Sequence, residues 1–308
     1  MLVKRESAGR IGKPPEERGI AELLDYGIVI IDKPKGPTTH QVADYVKKIL
    51  GIEKCGHSGS LDPGVTGVVV IGLGKSTKVV HNLLNAGKEY VCIMHVHKPL
   101  PEDEIKKAIS SFKGEIRQLP PIKSAVKRQE RTRKIYYIDI LETGGQDILF
   151  KVGCEAGTYI RKLCHDIGKK LKVGAHMAEL RRTKVGNLDE SLATTLQDLS
   201  DAYAFWKEGD EKGLKKIILP MENAVGHLPK IIVTDTTVSS LCHGATLNVP
   251  GISKLDDGIL KDDKVAVMTL KGELVMIGIA QMTSEQIMKE QKGIAIKPER
   301  VFMEPGVY

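Results

Sequence analysis

The stretch GHSGSLDPGVTG (56–67), followed at once by VVVIGL (68–73), constrains this chain more than any other. An unbroken apolar run of this length reads as a strand. A second run of the same kind, in YGIVIIDKP (26–34), ends in a turn at Lys33-Pro34-Lys35-Gly36-Pro37. The loop ahead of VVVIGL holds four glycines and one carboxylate, Asp62. Glycine allows backbone conformations and close approaches that a Cβ would block. An active-site loop, a phosphate cradle and a plain turn all remain open on these residues, because Gly, Asp, Pro and Ser are also ordinary turn formers.

The remaining segments predict the sheet's surroundings. Thr38 and Thr39 offer a cap for a helix over HQVADYVKKILG, with Val42, Val46 and Ile49 at helical spacing. A helix is expected around TKVVHNLLNAG, a strand over KEYVCIMHVH, an acid-capped helix over PEDEIKKAISSFKG, and strands over KIYYIDILE and DILFKVGCEAG. YIRKLCHDIGKKLKVG reads as an amphipathic helix with Ile160, Leu163, Ile167 and Leu171 on one face. Strands and helices follow no strict βαβ order, so the expected class is mixed α/β, with a mixed, largely antiparallel sheet and flanking helices. Residues 1–24 are polar and read as an extended arm ahead of a main domain over 25–220. LPMENAVGHLPK changes the character of the chain and places a linker at 221–227. Short β-rich pieces over 228–305 predict a small β-barrel-like domain.

Composition narrows the function. A chain that is 41% hydrophobic and 28% charged is globular, and a net charge of +7 points to a polyanionic partner, most simply nucleic acid. The five cysteines form no CxxC pair, which favours reduced thiols in a cytoplasmic setting over disulfides or structural zinc. No stretch approaches the ~20 apolar residues of a membrane helix, and no membrane partner is expected. GLGKST (72–77) is not a phosphate loop, since Val69 stands where its first glycine belongs, and Thr77 ends any dinucleotide fingerprint. Cys92 and His95 share a strand but point to opposite faces, so no metal site is read there. No Gly-x-Ser-x-Gly elbow occurs. Basic residues cluster at Lys127, Arg128, Arg131, Arg133 and Lys134, and again at Arg181, Arg182 and Lys184. With aromatics at only 4%, an RNA partner would be held by charge and shape more than by rows of stacked bases. On their own, Tyr90 in GKEYV reads as a core residue and Arg161 in GTYIRKL as a surface one.

These segments together resemble the TruB/dyskerin family of pseudouridine synthases. GHSGSLDPGVTG is similar to the family's catalytic-aspartate motif and DKPKGPTTHQV (32–42) to its first motif. GKEYV, GCEAGTYIRKLCHDIG (153–168) and GAHMAELRRTKVG (174–186) resemble its later blocks in the expected order. VTDTTVSSLCHGATLNVPGI and VMTLKGELVMIGIA resemble the PUA domain, an RNA-binding module. The likeness is greatest to the archaeal dyskerin-like members, catalytic subunits of H/ACA ribonucleoprotein particles. It implies that Asp62 is catalytic, that Tyr90 stacks on the target base and that Arg161 pairs with Asp62. His57 is expected to occupy the space a flipped base leaves. Lys127, Arg128, Arg131, Arg133, Arg181 and Arg182 are the expected RNA contacts, with the stretch 123–134 closing on the substrate. Gly64 departs from the motif, where the family often has a longer side chain. The activity implied is isomerisation of uridine to pseudouridine, mainly in ribosomal RNA, directed by an H/ACA guide RNA and small accessory proteins, without a cofactor. A stand-alone transfer-RNA pseudouridine synthase and a non-catalytic RNA-binding scaffold are the alternatives.

Overall fold

In the computed structural model, residues 1–120, 129–306 and 308 are described. The chain opens with β1 (Leu2–Val3) and α1 (Ile20–Tyr26), followed by β2 (Gly27–Lys33), α2 (Thr39–Leu50), β3 (Cys55–His57) and β4 (Thr66–Leu73). Then come α3 (Thr77–Val80), β5 (Lys88–Val96), α4 (Glu102–Ser110), β6 (Gly114–Gln118), β7 (Arg131–Gly144) and β8 (Asp147–Cys154). α5 (Ile160–Lys170), β9 (Ala175–Val185), β10 (Leu188–Asp189), α6 (Leu196–Lys207), α7 (Lys212–Ile217) and β11 (Ile218–Pro220) complete the first part. The second part holds β12 (Lys230–Val233), α8 (Asp235–Cys242), β13 (Leu247–Asn248), β14 (Ile252–Leu255), β15 (Lys264–Met268), β16 (Leu274–Ala280), α9 (Ser284–Lys289) and β17 (Ile294–Val301).

Two sheets result. The first has ten strands in the order β11-β2-β4-β9-β5-β8-β7-β6, with β3 added to β4 and β10 to β9. Its strands pair antiparallel except where β4 meets β9, so the mixed, largely antiparallel expectation holds. The second has seven strands in the order β1-β14-β12-β15-β16-β17-β13, parallel between β12 and β15. The apolar runs of β2 and β4 are explained by burial on both faces. Val29, Ile31, Val69 and Ile71 pack with Val42, Val46 and Leu50 of α2 and Leu199 of α6. Ile28, Ile30, Val68 and Val70 point the other way, into a core shared with Ala266, Met268, Leu274, Ile277 and Phe302 of the second part. The Thr38 hydroxyl caps α2 by accepting from Gln41 N–H, Gln41 returns the bond, and Gly51 closes the helix at φ 62°.

Three expectations are corrected. The helix expected around TKVVHNLLNAG is one α-turn flanked by 3-10 turns at Gly74–Ser76 and His81–Leu84. Thr77, Val79 and Val80 are β-branched and stiff, which disfavours a long helix there. The N-terminal arm is not extended throughout: Pro15–Glu17 form a 3-10 turn, and Ile20–Tyr26 a helix that buries Ile20 and Leu23. β1 pairs with β14, the backbone N–H groups of Arg10 and Ile11 donate to Asp235, and Arg18 makes a buried two-pronged ion pair with Glu222. The segment read as a linker is a 3-10 turn, Met221–Val225, whose Met221, Ala224 and Val225 sit in the shared core. Its apolar residues bind the two sheets together. No helix among the described residues is long and apolar enough to cross a membrane.

Candidate active site

The glycine loop is anchored at each end and forced outward in the middle. Ser58 is buried against β4, donating its N–H to Val70 O and accepting from Val70 N–H through its hydroxyl. Leu61 and Val65 are buried on either side of Asp62, in the core with α2. Thr39, at the start of α2, accepts from Leu61 N–H at 2.8 Å and donates to Leu61 O at 3.3 Å. Lys33, fully buried, donates to Val65 O at 2.8 Å, Pro34 O at 2.9 Å and Pro63 O at 3.2 Å. With both flanks tied inward, the Asp62 side chain faces solvent, 60% exposed. Gly67 holds φ +102°, and a Cβ there would lie 2.1 Å from Arg182 O, so only glycine brings β4 this close to β9. At Gly64, by contrast, an added Cβ would meet nothing within 4 Å. A longer side chain would have room at that position.

Arg161, in the first turn of α5, donates from Nη2 to Asp62 Oδ2. Both side chains are more than half exposed, so in the free protein the pair contributes little to stability. Tyr90 lies on β5 directly opposite Arg182 of β9, half-buried, with its hydroxyl against the Arg182 guanidinium. Burial pushes the Tyr90 phenol up, against the opposing pull of Arg182, and the hydroxyl keeps its proton at neutral pH. His57 closes β3. Its Nδ1 accepts from Gly59 N–H at 3.3 Å and its ring meets His40 edge-on at 4.6 Å. Burial, then the neighbouring His40 and Arg182, pull its pKa down, so the ring is neutral near pH 7.

The expected RNA contacts divide. Arg182 is corrected outright: it is 1% exposed, donating from Nε to Val68 O at 2.7 Å and from Nη2 to Gly59 O at 3.3 Å. It is a strut joining the loop to Tyr90 and cannot reach a phosphate. Arg181, its neighbour, points the other way and is part-exposed. Asp32 holds it with two bonds at 2.9 and 3.0 Å and Glu190 with one at 2.8 Å, so its charge is already balanced. Arg133 lies over Gly157, bonds Thr132 O and sits 3.7 Å from Glu155. The Nε atoms of Arg131 and Arg133 are buried without a partner among the described residues. Lys127 and Arg128, with the rest of 123–128 in the stretch 123–134, lie outside the described residues. Sequence reasoning passed over Lys33 and Thr39 as loop holders. A lysine ending an apolar strand and a threonine at a helix start have commoner roles, and nothing local marks them.

Comparison with known proteins gives a consistent picture. A family model described as TruB family pseudouridylate synthase (N terminal domain) matches residues 47–160, and one for the tRNA pseudouridylate synthase B C-terminal domain matches 161–226. A PUA domain model matches 229–302 and a DKCLD domain model 1–43. A protein of Methanopyrus kandleri named probable tRNA pseudouridine synthase B is 53% identical, covering 98% of this chain and 90% of its own. One of Pyrococcus horikoshii with the same name is 56% identical, covering 98% and 92%. Among solved structures, a chain of a Cbf5-Nop10-Gar1 complex superimposes with a TM-score of 0.94 at 53% identity, over 98% of this chain and 94% of that one. A chain of an H/ACA RNP bound to a substrate RNA containing 2'-deoxyuridine gives 0.93 at 51% identity, over 100% and 95%.

Proposed function

Because the chain belongs to the TruB family of pseudouridine synthases, we propose that it isomerises chosen uridines in RNA, mainly ribosomal RNA, under the direction of an H/ACA guide RNA. The observation that carries the guided reading is likeness along nearly the whole chain to a protein solved in an H/ACA RNP with substrate RNA. The partners in this reading are the guide RNA, the substrate RNA and small accessory proteins of the kind seen in the Cbf5-Nop10-Gar1 complex. We place the complex in the cytoplasm, where the free cysteines stay reduced.

The chemistry rests on the loop. Pseudouridine formation breaks the bond between N1 and C1′, turns the freed uracil and rejoins it through C5. Asp62 is the reacting carboxylate, either adding to the nucleoside or removing a sugar proton, and Arg161 orients it and balances its charge. Tyr90 presents its ring to the uracil and its hydroxyl towards C5. A stacked uridine must leave its neighbours first, at a cost of a few kcal/mol, and His57, neutral and beside the loop, fills part of the space left behind. Arg131 and Arg133 stand where the basic stretch joins the sheet and supply phosphate contacts together with Lys127 and Arg128.

A stand-alone transfer-RNA enzyme is the second reading, favoured by the name given to the relatives at 53–56% identity. Pseudouridine mapping on ribosomal and transfer RNA, with and without guide RNA and accessory proteins, separates the two. Guide-dependent modification supports the first reading. Modification of transfer RNA by the protein alone, with no gain from a guide, supports the second.

A further inference from the structure

We infer that Gln118 is the positioning residue that sets Arg161 against Asp62. Gln118 ends β6, forty-odd positions away in the chain from the helix it touches, and is only 2% exposed. Its side-chain oxygen accepts from the Tyr159 N–H at 3.0 Å, and its side-chain nitrogen donates to the Tyr159 C=O at 3.1 Å. The partners themselves dictate this amide orientation, since a backbone N–H demands an acceptor and a carbonyl a donor.

Tyr159 is the N-cap of α5, and its own side chain makes no capping bond. Its carbonyl already accepts from Leu163 N–H at 3.0 Å, the first bond of the helix. The carboxamide therefore braces the N-cap residue from another element of the sheet. Two bonds to the two polar groups of one residue fix both the position and the rotation of the first turn, and Arg161 leaves that turn two residues later. The approach to the turn has its own bonds, with Glu155 N–H donating to Lys134 O at 2.9 Å and the Thr158 hydroxyl to Glu155 O at 2.7 Å. Gly157 adopts φ +79° beneath the Arg133 guanidinium, and Lys134 N–H donates to the Glu155 carboxylate. Arg161 itself is half exposed and makes its charged contact with Asp62 alone among the described residues. A long, solvated side chain holds one geometry only if its backbone is held; Ile160 and Leu163 anchor the turn in the core, and the buried carboxamide fixes the residue at its start. Asparagine would be a methylene short, and an apolar residue would leave both Tyr159 groups without these bonds.

The inference rests on the reading that Asp62 and Arg161 serve the reaction, and the experiment separates the two. The full chain, reconstituted with guide RNA and accessory proteins, is assayed for single-turnover modification of a guided uridine, with substrate Kd measured alongside. Gln118→Met keeps the length and loses both bonds. Its rate is expected to fall about 10- to 100-fold, the scale of a small misplacement of a reacting group, with Kd within about two-fold of the parent. Gln118→Glu sets a second oxygen against the Tyr159 carbonyl and is expected to lose a similar factor, which keeps the test available should Gln118→Met fold poorly. In an Arg161→Ala background, Gln118→Met should cost less than about two-fold more, because a residue acting through Arg161 has nothing left to position. Losses that multiply in the double variant, or a parental rate in Gln118→Met, overturn the inference. An Arg161→Ala variant at parental rate overturns the reading of the site itself.

Discussion

Asp62 is placed before any substrate arrives. Leu61 and Val65 are drawn into the core on either side of it, and Thr39 and Lys33 hold the backbone between, so the carboxylate projects by default. Asp62→Asn keeps the size and removes the charge. Turnover is expected to fall by several orders of magnitude while RNA binding persists, since the proposed phosphate contacts lie elsewhere; modification at the parental rate would discard the assignment. Tyr90 separates stacking from proton transfer. If its ring stacks on uracil, worth roughly 1–3 kcal/mol, Tyr90→Leu should bind the target RNA more weakly than Tyr90→Phe. Equal, unimpaired activity in both variants would return Tyr90 to a packing role. The limit of sequence reasoning at this scale is shown by Arg181 and Arg182. Adjacent strand residues face opposite ways, but ELRRTKVG does not say which arginine turns inward, so both read as surface cations. The structure buries Arg182 and leaves Arg181 with two carboxylates.

At the level of elements, buried cations hold the framework through backbone carbonyls. Lys33 bonds the loop, Lys88 bonds the carbonyls of Leu83, Leu84 and Ala86, and Arg182 bonds Val68 and Gly59. Lys33→Met conserves volume but strips three carbonyls of a donor. A loss of about 1–3 kcal/mol in unfolding free energy is expected, read from urea titration; an unchanged midpoint and slope would contradict the role. Stability should also depend on pH through His57 and His227. Burial lowers both, assisted by His40 and Arg182 at the first and by Lys88 at the second. The unfolded chain therefore takes up protons first as pH falls through the ordinary histidine value of 6.5, and stability is lost below it. His227→Gln should flatten that loss between about pH 7 and 5.5, given the reference value near 6.5; an unaltered decline would show that His227 contributes nothing. β2, β4, β5, β7, β8 and α2 were legible because strong apolar patterns and a helix cap agree with the tertiary packing, whereas β9, with arginines, lysine and glutamate among its residues, was not read as a strand. The turn at 74–84 was not legible, because its apolar residues are dictated by the core shared between the sheets, which no local pattern displays.

In the whole molecule the two sheets share one core. Ile28, Ile30, Val68 and Val70 of the first meet Met268, Leu274, Ile277 and Phe302 of the second, and the N-terminal arm is pinned to the second sheet as well. Removing residues 228–308 to probe RNA binding would therefore also uncover apolar surface behind the strands that carry the loop. The truncated chain is expected to melt lower and to associate, checked by thermal unfolding and sedimentation; a truncation as stable and monomeric as the parent would refute the shared core. The sequence marked two folding units from their turn signals. It could not show how tightly they join, because Met221, Ala224 and Val225 look like linker residues until Phe302 and its neighbours are seen against them. The central claim, guided isomerisation at Asp62, is met most directly by one measurement. A ribosomal RNA fragment is incubated with the protein alone, with protein plus guide RNA and accessory proteins, and with the Asp62→Asn variant in the same complex, and pseudouridine is mapped at single-nucleotide resolution. The account predicts one modified uridine, set by the guide, in the second reaction alone. Equal site-specific modification without the guide, or by the Asp62→Asn complex, would contradict it.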